Sequence, residues 1–106
     1  DALEAAGWLS EARFVESVLH RKAARLGTAR IRQELQGHGL APEAVAGAVE
    51  QLRGSELERA RAIWTRRFGG DAPTDATERA RQMRFLAARG FATEVIRRVV
   101  RGGEDD

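Results

Sequence analysis

Apolar residues recur at helical spacing from one end of the chain to the other, and no stretch alternates with the period of a strand. Ser10 is placed to cap a first helix over about 10–24, with Phe14, Val15, Val18 and Leu19 as its buried stripe. Gly27-Thr28 breaks and restarts the chain. A short second helix carries Ile31 and Leu35 one turn apart, and Gly37 and Gly39 stop it. Pro42 suits the first turn of a third helix, where Val45, Ala48, Val49 and Leu52 form the clearest amphipathic stripe. Ser55 with Glu58 predicts a capping box ahead of a fourth helix lined by Leu57, Ala60, Trp64 and Phe68. That helix stops at Gly69-Gly70, and 69–74 reads as a loop. A fifth helix over about 75–89 buries Ala80, Met83, Leu86 and Ala87 and ends at Gly90. Thr93 predicts the cap of a sixth, with Val95, Ile96, Val99 and Val100 inward. Gly102-Gly103 ends it, before an acidic tail at 104–106.

The second half echoes the first. Leu35, Gly39, Leu40, Val45 and Val49 recur 51 positions later as Leu86, Gly90, Phe91, Ile96 and Val100. Upstream, Phe14, Val18 and Arg21 answer to Ala60, Trp64 and Arg67 at a displacement of 46. The fold class this predicts is all-α: two tandem three-helix repeats, 10–54 and 55–103, stacked into a short extended array. A unit this small is expected to need its neighbour in order to bury its apolar face. Residues 1–9 read as the remnant of a preceding repeat. With no initiating Met, the chain is expected to be part of something longer.

Composition adds constraints. At 106 residues, 42% hydrophobic and 32% charged, the chain is long enough for one domain or a short array and apolar enough for a core. It has no Cys, hence no disulfide, thiol nucleophile or Cys-ligated zinc. No apolar run approaches the length of a membrane span. A soluble, cytoplasmic, monomeric protein without a cofactor is the expectation. The net charge is only +2 while the pI is about 10.3, because Lys22 is the only Lys and guanidinium holds its proton to about pH 12. Heavy Arg usage is compatible with GC-rich coding, and equally with bidentate contacts to carboxylates and phosphates.

The placement of those arginines is more telling than their number. Arg13, Arg21, Lys22, Arg25, Arg30 and Arg32 face only Glu16 within their stretch, Arg59, Arg61, Arg66 and Arg67 face no acid, and seven Arg between 79 and 101 face only Glu94. On the fourth, fifth and sixth helices, Arg59 and Arg66, Arg81 and Arg84, and Arg97, Arg98 and Arg101 fall opposite the apolar stripes. Two readings stay open: a solvated polar face, or a basic stripe along the array that meets an acidic protein surface or a phosphate backbone. Arg30 and Glu34, one turn apart, are expected to pair. Catalysis has little to draw on. His20 and His38 have no nucleophile or second ligand at useful spacing, and the glycine pairs lack a following Lys-Ser/Thr. The six aromatics fall mostly on apolar stripes, with Phe85 off its stripe, so base stacking is poorly supported.

The segments GWLSEARFVESVLHRKA, LGTARIRQELQGHGL and FLAARGFATEVIRRVV, in this order and spacing, resemble the RecX family of regulators of the RecA recombinase. Arg13, Phe14, Gly27, Ile31, Glu34, Leu35, Gly39, Arg89, Gly90 and Phe91 occupy the family's recurrent positions and read mostly as structural. The resemblance implies the second and third of three tandem repeats in a non-enzymatic protein. Such a protein binds RecA–single-stranded-DNA filaments and lowers recombinase and ATPase activity, with DNA contact through phosphates in addition. Candidate contacts are Arg21, Lys22, Arg25, Arg30, Arg32, Arg59, Arg66, Arg67, Arg81, Arg84, Arg97, Arg98 and Arg101. Two other readings remain: a helix-turn-helix-like DNA-binding module, and an interaction array for another protein. Against the first, the third helix is Arg-free from Val45 to Leu52.

Overall fold

The computed structural model describes residues 2–101, with side chains from Ser10 onward; the expected stop at Gly102-Gly103, the acidic tail and the packing of Trp8 lie outside the described residues. Six helices follow one another: α1 (Ala2–Lys22), α2 (Thr28–Gly37), α3 (Pro42–Arg53), α4 (Glu56–Phe68), α5 (Ala76–Ala88) and α6 (Thr93–Val100). No strand occurs among the described residues. The helices form two tandem bundles, α1–α3 and α4–α6, in a body measuring 60 × 24 × 19 Å. Its radius of gyration is 16.3 Å, against about 13 Å for a compact chain of this size.

The expected helix starts are corrected at three places. Ser10 caps nothing, because α1 begins at Ala2 and runs through it; the Ala-, Leu- and Glu-rich stretch before Ser10 favours helix. The capping box at Ser55 does not form. The Ser55 hydroxyl instead donates to the Leu52 carbonyl (3.3 Å) and accepts from Arg59 Nε (3.1 Å). Thr93 is already inside α6, whose cap residue is Ala92. Side-chain carboxylates from elsewhere hold the third helix of each bundle instead: Ala41 N–H donates to Glu11 Oε1 and Ala92 N–H to Glu56 Oε2, both at 2.9 Å. Among the described helix starts, only that of α5 has its own side-chain cap, Asp75 accepting from the Glu78 N–H at 2.8 Å.

These contacts also reset the repeat register. Glu11 answers to Glu56, and the buried residues Val15, Val18 and Leu19 answer to Ala60, Ile63 and Trp64, a displacement of 45 rather than 46. The later helices keep the displacement of 51, with Ile31 and Leu35 matching Gln82 and Leu86. In the second bundle Gln82 is therefore a core residue, and Ala87, expected inside, is exposed. The Leu19/Ile31 positions of the first core have become Trp64/Gln82, each 3% exposed. The indole N–H donates to Gln82 Oε1 at 2.7 Å, and Gln82 Nε2 donates to Glu78 Oε2 at 2.9 Å. Burying either polar group without the other would leave it unsatisfied, so the two substitutions belong together.

Each bundle has its own apolar core. Val15, Val18, Leu19, Ile31, Leu35, Val45, Ala48, Val49 and Leu52 form one. Ala60, Ile63, Trp64, Leu86, Phe91, Ile96, Val99 and Val100 form the other. The expectation that the repeats stack by burying a shared apolar face is thus not met; they join through polar main chain. Gly27 N–H donates to the Arg89 carbonyl at 2.6 Å, and Ala29 N–H to the Gly90 carbonyl at 3.2 Å. Two N–H groups at the start of α2 are thus satisfied by carbonyls just past the end of α5, the head of one helix on the tail of another. Backbone meets backbone here, because a Cβ on Gly27 would collide with Gly90 and one on Gly90 with Arg30. Gly90 is also left-handed, at φ +93°.

Gly27→Ala is expected to lower stability by about 2 kcal/mol or more by prising the bundles apart. Urea unfolding measures it, and hydrogen exchange should show the Ala29 amide losing protection before the amides of either core.

Candidate functional site

The arginines expected to form an outward stripe divide into three groups. The first turns inward at the junction. Arg59, expected on the outer face of α4, is half-buried and makes five hydrogen bonds. Its Nη1 donates to the Ala23 (3.0 Å) and Leu26 (2.7 Å) carbonyls. Its Nη2 donates to the Leu52 carbonyl (3.1 Å) and Thr28 Oγ1 (3.2 Å), and its Nε to Ser55 Oγ (3.1 Å). The planar fork reaches the end of α1, the start of α2 and the end of α3 at once, and its carbon stays near the Phe91 ring, 5.9 Å from the centroid. Burial lowers the Arg59 pKa, and Glu56 works against that shift. Glu56 is itself only 6% exposed and accepts from Thr28 Oγ1 at 2.8 Å as well as from Ala92.

Arg30 and Arg89 clasp the same junction reciprocally. Arg30 Nη1 donates to the Ala88 carbonyl (2.7 Å) and Arg89 Nη1 to the Arg25 carbonyl (2.9 Å). Arg66 donates to the Ala24 carbonyl at 3.3 Å. Arg30 therefore does not pair with Glu34. Lys22 takes that carboxylate at 2.9 Å, and its hydrogen bond holds the Glu34 pKa below the ordinary value.

The second group is held within one bundle. Arg81 makes a two-pronged ion pair with Glu78 (2.9 and 2.8 Å) and lies over the Phe68 ring. Arg67 and Arg89 flank Phe85, at 5.5 and 4.6 Å from its centroid, and Phe85 meets Phe68 edge-on at 5.4 Å. The aromatic that was off its stripe is thus half-buried beneath guanidinium groups. Arg21 Nε donates to the Ser17 carbonyl at 3.3 Å, back along its own helix, and Arg98 is half-buried and engaged.

The third group remains available. Arg25, Arg32, Arg84, Arg97 and Arg101 are exposed, and their side chains make no hydrogen bond or ion pair among the described residues. Arg97 and Arg101 share a cleft with Arg79, which sequence reasoning did not single out. The motif residues fall as structure. Ile31 and Leu35 are wholly buried, Phe91 is in the core, and Gly39 is left-handed at φ +69°. Phe14 packs edge-on against His38, with Arg13 exposed beside them. His20 and His38 are both exposed, on separate elements, and no cluster able to hold a metal ion occurs among the described residues. No described helix is long and apolar enough to cross a membrane.

Two family models match the chain, one after the other. Residues 10–49 match the family model described as the second three-helix domain of RecX, and residues 55–100 the third. A "Regulatory protein RecX" of Herminiimonas arsenicoxydans is 46% identical across the whole chain, which covers 70% of it. This chain belongs to the RecX family. Relatives of the same printed name from Leptothrix cholodnii and Ralstonia nicotianae are 55% and 50% identical over 95% and 98% of the chain. The chain spans 64% and 65% of their lengths, a little under two thirds. For a RecX-family chain, the Gly27–Gly90 approach and the Arg59 fork explain how the second domain is fixed to the third.

Arg59→Ala is expected to cost about 2–4 kcal/mol, because three carbonyls and two hydroxyls lose their donor at a half-buried junction. Arg59→Lys should recover less than half, lacking the fork. Urea unfolding of both variants decides, and a cost below about 0.5 kcal/mol for Arg59→Ala would return that side chain to the solvated surface. Glu78 offers a pH test. Hydrogen bonds from Arg81, then Gln82, bring its pKa down from 4.5 to about 2. A lowered folded value means its stabilisation is complete above the ordinary value and disappears as pH falls from there through about 2. Carboxyl NMR should find Glu78 still ionised at about pH 3; a midpoint at its ordinary value refutes the pairing.

Proposed function

We propose that this chain is the part of a RecX protein that engages filaments of the RecA recombinase on single-stranded DNA and lowers their ATPase and strand-exchange activity. It acts by binding, without chemistry of its own. The observation that carries this reading is family membership across both repeats, where relatives are named regulatory proteins. The physical form supports it. A 60 Å body with a hydrogen-bonded junction offers an extended surface to a polymeric partner. Arg25, Arg32 and Arg84 stand free to meet acidic side chains or phosphates.

A base-reading third helix has less support. α3 turns Val45, Ala48, Val49 and Leu52 inward, and its exposed side carries Glu43 and Glu50, which repel phosphate.

The test adds this chain, and the same sequence extended to the length of its relatives, to RecA assembled on single-stranded DNA. ATP hydrolysis is expected to fall as either is titrated. Arg25→Ser, Arg32→Ser and Arg84→Ser combined should weaken the effect with an unchanged melting temperature. Unaltered hydrolysis at stoichiometric excess of the extended protein defeats the reading.

A further inference from the structure

The face on which one repeat receives the next is present twice. In the first bundle it lies between α2 and α3, where Thr28, Arg32, Val49 and Arg53 line a cavity of about 140 Å³ that also takes in Glu56, Gly90 and Ala92 of the second bundle. An anionic group, the Glu56 carboxylate, is bound there by Thr28 Oγ1 at 2.8 Å. Moving 51 positions along gives the same face of the second bundle, between α5 and α6. Thr28, Arg32 and Val49 become Arg79, Met83 and Val100, and all three line an open cleft of about 490 Å³.

The remaining lining of this cleft is Ala72, Pro73, Arg97 and Arg101. Arg97 and Arg101 stand where the first bundle has Ala46 and Glu50. A hydroxyl, a methyl and a carboxylate have thus given way to three guanidinium groups, and among the described residues no acidic side chain lines the cleft. None of the three makes a side-chain hydrogen bond or ion pair among the described residues, unlike the arginines of the junction. Three like charges gathered together repel one another, and an anion relieves that repulsion. Guanidinium forks match tetrahedral oxyanions in pairs of hydrogen bonds.

We propose that the α5–α6 cleft binds phosphate groups of a nucleic-acid strand, held by Arg79, Arg97 and Arg101. Met83, Pro73 and Val100 supply an apolar floor against which a sugar or base edge lies. A run of short carboxylates in a peptide makes no use of such a floor. The volume falls within the range of about 300–1,000 Å³ usual for ligand clefts. The site deepens the filament reading, since a filament carries a strand, yet it is tested on bare DNA and so fails or stands independently of any effect on RecA.

The experiment follows fluorescence anisotropy of a labelled oligothymidylate with the full chain over a range of salt. Arg79→Gln, Arg97→Gln and Arg101→Gln combined should weaken binding about tenfold or more and flatten the dependence of log K on log salt by about 2, the share of three phosphate contacts on a single strand. Arg13→Gln with Arg53→Gln, both exposed and away from the cleft, serves as the control and should stay within about twofold. Circular dichroism confirms that the triple variant melts like the parent. Unchanged affinity and slope in a folded triple variant overturn the proposal. So does a triple variant that keeps its oligonucleotide affinity but no longer binds a polyglutamate peptide, which assigns the cleft to an acidic protein. Displacement of the oligonucleotide only by free inorganic pyrophosphate, with no loss in the variant, likewise overturns it.

Discussion

Where the two bundles meet, one carboxylate receives the starts of three helices. Glu56 opens α4, accepts the hydroxyl of Thr28 at the first turn of α2, and accepts the main-chain N–H of Ala92 at the threshold of α6. The starts of three helices converge on a group that is 6% exposed, where the Ala92 N–H, the Thr28 hydroxyl and the nearby Arg59 charge all face its carboxylate. Everything else at the junction takes its position from this arrangement. α2 can start there only if its unpaired N–H groups find acceptors, and the carbonyls of Arg89 and Gly90 provide them. Those carbonyls come close enough only because neither Gly27 nor Gly90 carries a Cβ.

A junction of this kind behaves differently from an apolar one. Each bundle closes its own core, so separating them exposes carbonyls, amides and a buried carboxylate rather than oil. The cost of opening is concentrated in a few directional bonds, and so is the orientation they impose. An apolar seam tolerates sliding, whereas five hydrogen bonds from one planar guanidinium to three segments do not. Rigidity along the long axis of the molecule therefore comes from polar geometry.

The helices and the cores were legible in the sequence because apolar periodicity records burial directly. Val45, Val49, Leu52, Ile96, Val99 and Val100 sit where the spacing puts them. The junction was not legible, because main-chain carbonyls leave no mark in a pattern of side chains. The glycines at 27 and 90 were its one visible trace, and they read as helix breaks. Glu56 was passed over in favour of Glu58, since a capping box is a local pattern and the real acceptor acts across 36 residues. The register slipped by one for a related reason. Matching Val18 to Trp64 aligned bulk, whereas Leu19/Ile31 and Trp64/Gln82 exchange as pairs, one apolar and one hydrogen-bonded. A buried glutamine looks polar in a hydropathy reading until its indole partner is known.

Arginine content divides the same way. At 30, 59, 66 and 89 the guanidinium donates to carbonyls of the other bundle, work for which the single point charge of lysine is a poor substitute. Arg59 has its whole fork committed, whereas Arg30, Arg66 and Arg89 each commit one nitrogen to a carbonyl of the other bundle. Counting bases along the chain treats them as equivalent to Arg97 or Arg101, and that is why an even stripe was expected where the structure has a bonded seam and separate free groups. The near-neutral total of +2 then matters less than which donors remain uncommitted, because a phosphate or carboxylate is captured by donors at contact distance and only steered by net charge.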